Sequence, residues 1–186
     1  MGFDLHGVKP TLKYDRPETP DWDKNPSDEE KQKFFSELEK FEQDHPGYYF
    51  RNNVWFWRPL WHYVCEVVAP KILSEDDKTH GSYNDGHRIN AVKAIYIADK
   101  IKELDESGEL DAYEEQFESS RKAIPKQTCQ HCNGSGVRND EHVQGKCNGC
   151  DGTGKADRIE TAYPFEADNV RNFGDFCRHS GGFEVC

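Results

Sequence analysis

Two copies of one short pattern constrain this chain more than any other feature of its sequence. Each copy reads Cys-x-x-Cys-x-Gly-x-Gly; the first runs from Cys129 to Gly136 and the second from Cys147 to Gly154. A Cys-x-x-Cys turn places two thiolates on one side of a tight backbone knuckle, and two knuckles complete the tetrahedral shell that Zn²⁺ prefers. The glycines allow the positive φ or close backbone approach that such turns often need.

The cysteines Cys129, Cys132, Cys147 and Cys150 are therefore predicted to bind one structural Zn²⁺. Four protein ligands leave no coordination position for water or substrate, so the expected role of the metal is to stabilise the fold. Disulfide pairing or free thiols are the alternatives. The other cysteines, Cys65, Cys177 and Cys186, are scattered, which is more typical of a reducing cytosol than of a secreted disulfide framework. We expect Cys65 and Cys177 to be buried.

The paired pattern resembles the cysteine-rich domain of the J-protein (DnaJ-type) chaperones, whose repeats form zinc-binding hairpins that contact clients. The resemblance covers residues 129 to 154. That family has four repeats and two zinc ions, whereas two repeats here are enough for one ion. It also uses a His-Pro-Asp motif, and this chain has His45-Pro46-Gly47, which lacks the acid. Isolated pairs of this repeat also resemble small zinc regulators that bind another protein.

The net charge of the chain indicates which classes of partner to expect. The net charge of −11 over 186 residues argues against duplex DNA, because phosphate contacts need clustered Lys and Arg. No apolar run approaches the roughly 20 residues that span a bilayer, so no membrane is expected. The first residues have neither the basic start nor the apolar run of a secretion signal, and we expect a cytoplasmic protein.

The expected fold is α+β and mainly helical, a single compact domain with an inserted zinc-knuckle hairpin. Prolines at 10, 17, 20 and 26 indicate an extended arm over residues 1–26. Residues 27–125 and 157–186 are predicted to form the main domain, with an aromatic core. Residues 126–156 are predicted to form the insert.

Five helices are predicted in the main domain. The first follows a capping box at Ser27 to Glu30, and the last is capped by Asp168 and stopped by Gly181-Gly182. A short strand is expected after that stop. The other predicted helices are one with Pro59 in its first turn that ends near Pro70, a long one over 87–105 capped by Asn84 or Asp85, and a short acidic one over 107–124.

Aromatic residues crowd the segment from Tyr48 to Tyr63, which holds three of the four tryptophans. These rings are large enough to dominate a core. In the alternative interpretation they stack on a planar anionic ligand, held also by arginines and by a basic helix start. The residues that would form this ligand site are Arg51, Trp55, Trp57, Arg58, Asp85, His87 and Arg88.

Three segments bear a second resemblance: Tyr49 to Leu60, Asn84 to Ile89, and Phe176 to Phe183. They are similar to a group of small bacteriophage and bacterial accessory proteins that have no assigned activity and often carry the same zinc pair before the last helix. The resemblance implies a phage-encoded protein that acts in the cytoplasm of an infected cell.

The predicted function is non-catalytic binding, because none of the common nucleophile, phosphate-loop or metalloprotease motifs occurs. We expect an accessory or anti-defence protein that binds and blocks a host protein. One alternative is a sponge that sequesters an anionic nucleotide signal. Another is a small hydrolase that uses Asp85 and His87 as an acid and base pair.

Overall fold

A four-stranded antiparallel sheet and the helices packed on it form the larger of two structural units. The computed structural model describes residues 2–186. The first unit comprises residues up to Asp111 together with Glu166–Cys186, and the second comprises Ala112–Phe165. The predicted α+β, mainly helical class is confirmed. None of the helices within residues 2–186 combines the length and apolar content that a bilayer span requires.

The elements follow one another along the chain as six α-helices and eight strands within the described residues. The helices are α1 Asp28–Asp44, α2 Val54–Tyr63, α3 Glu75–His80, α4 Ala91–Glu106, α5 Glu109–Lys122 and α6 Ala167–His179. The strands are β1 Gly2–Gly7, β2 Tyr49–Asn53, β3 His87–Asn90, β4 Gln127–Thr128, β5 Val137–Asn139, β6 Gln144–Lys146, β7 Lys155–Ala156 and β8 Gly182–Val185. A π-helical turn, Val64–Val68, extends α2, and short 3₁₀ turns occur at Trp22–Lys24 and Ile159–Ala162.

The sheet of the first unit has the order β2-β1-β8-β3, with every neighbouring pair antiparallel. Its buried face is set by register, because Leu5 pairs with Val185 and Ile89 pairs with Phe183. Helix α6 covers the sheet, and the ring of Phe173 lies 5.6 Å from that of Phe183. Antiparallel pairing thus joins the two ends of the chain in one core.

The predicted arm over residues 1–26 is wrong at its beginning. Residues Gly2–Gly7 form an inner strand of the sheet, and the side chains of Phe3 and Leu5 are buried. The prolines lie after this strand, so they end the pairing but do not prevent it. Pairing with β2 and β8 is non-local, and two buried positions give little periodic signal in the sequence.

Two helix starts differ from the predictions. Helix α2 begins at Val54, before Pro59, because Asn53 Oδ1 accepts hydrogen bonds from the amides of Trp55 and Phe56. Helix α4 begins at Ala91, capped by Asn90, so the predicted start near residue 87 is wrong. Residues His87–Asn90 are instead the strand β3.

Other boundaries agree with the sequence. The capping box at Ser27 and Glu30 opens α1, and the positive φ of Gly181 and Gly182 follows the end of α6. The predicted cap of α6 is wrong, because Glu166 occupies the cap position and Asp168 lies in the first turn. Cys65 and Cys177 are buried, as expected.

The second unit has a small core of its own besides its cysteines. Helix α5 begins in the first unit and continues into the second, where the Tyr113 ring lies 4.8 Å from that of Phe165. Glu118 accepts a hydrogen bond from the Phe165 amide and pairs with Arg121. This unit, Ala112–Phe165, is longer than the insert 126–156 that the sequence predicts.

Candidate metal centre

The four cysteines of the two knuckles converge on one point. Their sulfur atoms all lie within 4.8 Å of one another, and all four residues are buried. The Sγ atoms of Cys129 and Cys147 are 4.0 Å apart, and those of Cys132 and Cys150 are 3.7 Å apart. Four sulfurs bound tetrahedrally at the usual metal–sulfur length would be separated by about 3.8 Å. The quartet is positioned to bind a metal ion, and these separations are too long for disulfides.

The two knuckles make equivalent hydrogen bonds, which explains why the sequence pattern occurs twice. The amide of Gly136 donates to Cys132 Sγ at 3.2 Å, and the amide of Gly154 donates to Cys150 Sγ at 3.3 Å. The backbones also cross, because Cys147 N donates to Gly136 O and Cys129 N donates to Gly154 O. Each knuckle therefore holds the other in place.

These hydrogen bonds favour the thiolate form that binds metal. Desolvation opposes ionisation of Cys132, but the Gly136 amide and contacts with the neighbouring cysteine sulfurs outweigh it and lower its pKa to about 6. Desolvation, together with contacts to the neighbouring cysteines, raises the pKa of Cys147 to about 11. The Gly136 amide therefore stabilises a thiolate at Cys132 within the quartet.

Glycine is required where the knuckles cross. Gly136 has φ +75°, and a Cβ there would lie 2.3 Å from the carbonyl oxygen of Gly152. A Cβ on Gly154 would lie 2.2 Å from Gly134 O. Real side chains do not approach backbone oxygen this closely, so these two positions exclude every other residue.

We expect Gly136→Ala to weaken metal binding by at least about tenfold, because relieving the clash must displace a knuckle and two of its sulfurs. The matched control is Gly145→Ala, whose site has φ +109° with no atom within 4 Å of a new Cβ. That change adds backbone strain of about 1–2 kcal/mol without a clash. Competition with a coloured chelator measures both affinities. Equal losses in the two variants would contradict this explanation.

Of the two interpretations of the aromatic segment, the position of Trp57 agrees with the core and not with the alternative ligand site. Trp57 is fully buried, its ring lies between Phe3 and Trp61, and its Nε1 donates to Gly81 O at 2.9 Å. The Trp57 ring is therefore part of the core. Trp55 is 41 % exposed. Arg58 lines a cleft of about 440 Å³ together with Lys78 and Tyr83.

The predicted basic helix start is also absent from the described chain, because Arg88 and His87 lie on β3. Arg88 pairs with Glu184 on the neighbouring strand, with Nη2 and Oε2 2.8 Å apart. Arg51 lies 3.8 Å from Asp4 in the same way. Carboxylates therefore compensate the arginine charges that a bound anion would need.

Asp85 and His87 do not form the acid and base pair considered for a hydrolase. The Asp85 carboxylate faces His80, whose Nδ1 lies 2.5 Å from Oδ2, and this hydrogen bond raises the pKa of His80. The His87 ring faces Asp77 instead, at 3.0 Å from Nε2. The structure thus places His80 beside Asp85 and Asp77 beside His87, and the sequence analysis missed both His80 and Asp77. The i,i+4 spacing of Asp76 and His80 on a capped helix was the available signal.

Asp77 is the buried carboxylate of a histidine cluster that consists of His80 and His87 with Asp76, Asp77 and Asp85. Desolvation opposes its ionisation, but hydrogen bonds from Lys93, Ser74 and His87 outweigh it and hold its pKa well below the usual aspartate value. Ser74 and Asp77 also form the capping box of α3. Asp77 therefore joins α3, β3 and α4 through charge as well as through packing.

Comparisons with protein-family models, with curated proteins and with solved structures find no match to this chain. The residues themselves are then the basis for inferring function. The most specific arrangement among them is the buried cysteine quartet, which is closed by protein ligands on all sides.

Proposed function

We propose that the chain is a non-catalytic, zinc-stabilised binding protein whose knuckles engage another protein. The metal we propose is Zn²⁺, because four thiolates in a tetrahedral arrangement are the ligand set typical of structural zinc. The observation that carries the proposal is the closed quartet. A metal with four protein ligands has no position for substrate. Its proposed role is to hold the surrounding backbone, and so the surface of the knuckles, in a fixed shape.

The outer face of the knuckles supports a binding role. Gln130, His131 and Asn148 are exposed beside the buried cysteines. A Cβ on Gly149 would lie 2.4 Å from the His131 ring, so this ring packs across the second knuckle. Arg138 is largely buried and donates hydrogen bonds to Asp140 and Asn148. The surface available to a partner therefore combines these polar side chains with the exposed charges of Lys146 and Asp151.

The partner we propose is a host protein in a phage-infected cell, and the location the cytoplasm, in line with the resemblance in the sequence. Acidic composition weighs against duplex DNA as the partner. The buried position of Trp57 and the carboxylates paired with Arg51 and Arg88 weigh against an anionic nucleotide. A protein partner that binds the knuckles does not require Trp57, Arg51 or Arg88 to be available for binding.

The test is capture of a partner from host lysate by three forms of the chain. We expect Gln130→Glu combined with His131→Ala to lose the partner while keeping its metal, because these side chains form the outer knuckle surface. Arg88→Glu is the matched charge change in the first unit and should keep the partner. Calorimetry against cyclic and linear nucleotides accompanies the capture. Nucleotide binding that Arg88→Glu abolishes, or capture that the knuckle variant leaves unchanged, would overturn the proposal.

A further inference from the structure

Two histidines from different elements meet beside three carboxylates in the first unit. His80 ends α3 and His87 begins β3, and their ring centres are 5.4 Å apart with planes inclined by 24°. Two imidazoles that share one ion at the usual metal–nitrogen length have ring centres separated by about 5 Å. The spacing of these rings is therefore that of a pair of ligands.

Each imidazole has one ring nitrogen within hydrogen-bond distance of a carboxylate, and the two carboxylates belong to different residues. His80 Nδ1 lies 2.5 Å from Asp85, and His87 Nε2 lies 3.0 Å from Asp77. Metal-binding histidines almost always donate their second ring N–H to such a partner, which fixes the ring and makes the other nitrogen a better ligand. Both histidines here have that support.

The remaining nitrogens face a single carboxylate. His80 Nε2 is 3.6 Å from Oδ1 of Asp76, and His87 Nδ1 is 3.9 Å from Oδ2 of the same side chain. Ligands of one ion are separated by roughly 3.0–3.5 Å at the usual bond lengths. Both separations are longer than that, and an inward rotation of the Asp76 side chain, which is 72 % exposed, would shorten them.

We propose that Asp76, His80 and His87 bind a divalent transition-metal ion. Two imidazoles and one carboxylate suit ions such as Zn²⁺, Fe²⁺, Mn²⁺ or Co²⁺ and leave coordination positions open to water. The local charge fits, because Asp76, Asp77 and Asp85 carry three negative charges and Lys93, bonded to Asp77, carries one positive charge. With neutral imidazoles, two negative charges remain for a divalent ion. This site is independent of the proposed partner binding.

The chain contains a control for the simpler explanation of an ordinary helical ion pair. On α6, His179 Nε2 lies 3.4 Å from Asp175 in the same i,i+4 arrangement as Asp76 and His80. His179 is 42 % exposed, close to the 43 % of His80. His80 differs in that its ring also lies 5.4 Å from the ring of His87. A bound ion should therefore depend on His80 and not on His179.

The experiment titrates Co²⁺ into the full chain whose cysteine quartet is already loaded with zinc. We expect a further equivalent to bind, with weak d–d absorption and without the intense near-ultraviolet band of cobalt thiolates. His80→Gln and His87→Gln should each lower the affinity at least about 100-fold. Asp85→Asn should lower it about 10–100-fold, the range for a group that orients a ligand. His179→Gln should leave it unchanged.

Asp76→Asn keeps the test decisive if a histidine variant unfolds, because this exposed side chain can change without loss of core. It too should weaken Co²⁺ binding, with the thermal unfolding midpoint unchanged. The proposal is overturned if the zinc-loaded chain takes up no cobalt. Uptake accompanied by the thiolate band overturns it as well, because the ion would then have exchanged into the cysteines. Equal losses of cobalt affinity in the His80 and His179 variants would also overturn the proposal.

Discussion

Removal of the metal should unfold the knuckle segment and leave the first unit folded. Between residues 126 and 156, the buried side chains are the four cysteines themselves, joined by the partly buried Ala156. The strands there are two or three residues long and pair only in twos. Such short ladders are not stable alone, so we expect a metal bound by the quartet to supply the core of this segment. Apparent zinc free energies in small domains of this kind are about 10–16 kcal/mol at neutral pH.

The expected result is loss of amide protection in the knuckles after chelation. Hydrogen exchange should speed up at Gly136 and Gly154, whose amides donate to cysteine sulfurs. Exchange at Phe183 in the sheet of the first unit should not change, because that core is separate. Cys132→Ser should reproduce the effect of the chelator. Elemental analysis should show that this variant has lost the equivalent bound by the wild-type quartet.

Cys186→Ser is the matched control, since Cys186 is an exposed thiol outside the quartet. It should keep both the metal and the protected amides. Knuckle amides that stay protected in protein verified as metal-free would show that the segment folds without an ion. An identical response from Cys186→Ser would point to general thiol chemistry.

The cysteine quartet and α1 were accessible to sequence analysis because both depend on local spacing. A Cys-x-x-Cys turn needs only its own glycines, and the capping box of α1 lies within Ser27 to Glu30. The stop after α6 is similar, since Gly181 and Gly182 both have positive φ. In each case the residues that make the structure are neighbours in the chain.

The strands of the first unit were harder to predict because their partners are distant. In β3, Ile89 is buried against Phe183, almost a hundred residues later in the chain. In the sequence, Ile89, Val92 and Tyr96 form a helical stripe, which favoured a helix from residue 87. Val92 is in fact 77 % exposed, so that stripe does not face the core. Tertiary pairing overrode the local pattern.

The histidine cluster was missed for the same reason. His80 and Asp76 share a helix, but their meeting with His87 depends on β3 pairing with β8. His87 as a helix residue would have faced elsewhere. A local error in one secondary-structure boundary thus hid a constellation of titratable groups.

The second large effect is expected from Trp57→Ala, which should destabilise the first unit by about 3–5 kcal/mol. Trp57 is fully buried, with ring centres 5.5 Å from Phe3 and 5.4 Å from Trp61. Truncation leaves a cavity the size of an indole between these rings. It also removes the hydrogen bond that Gly81 O accepts from Nε1, and the carbonyl left unpaired places the expected loss toward the upper end of that range.

Trp55→Ala is the matched control, because Trp55 occupies the same helix with 41 % of its surface exposed. It should cost no more than about 1 kcal/mol, the usual range for a partly exposed site. Urea unfolding of both variants, followed by circular dichroism, gives the two free energies. The comparison also separates the two interpretations of the aromatic segment. If Trp57 served a ligand, its loss would leave the unfolding free energy within about 1 kcal/mol of wild type, and the core assignment would be wrong.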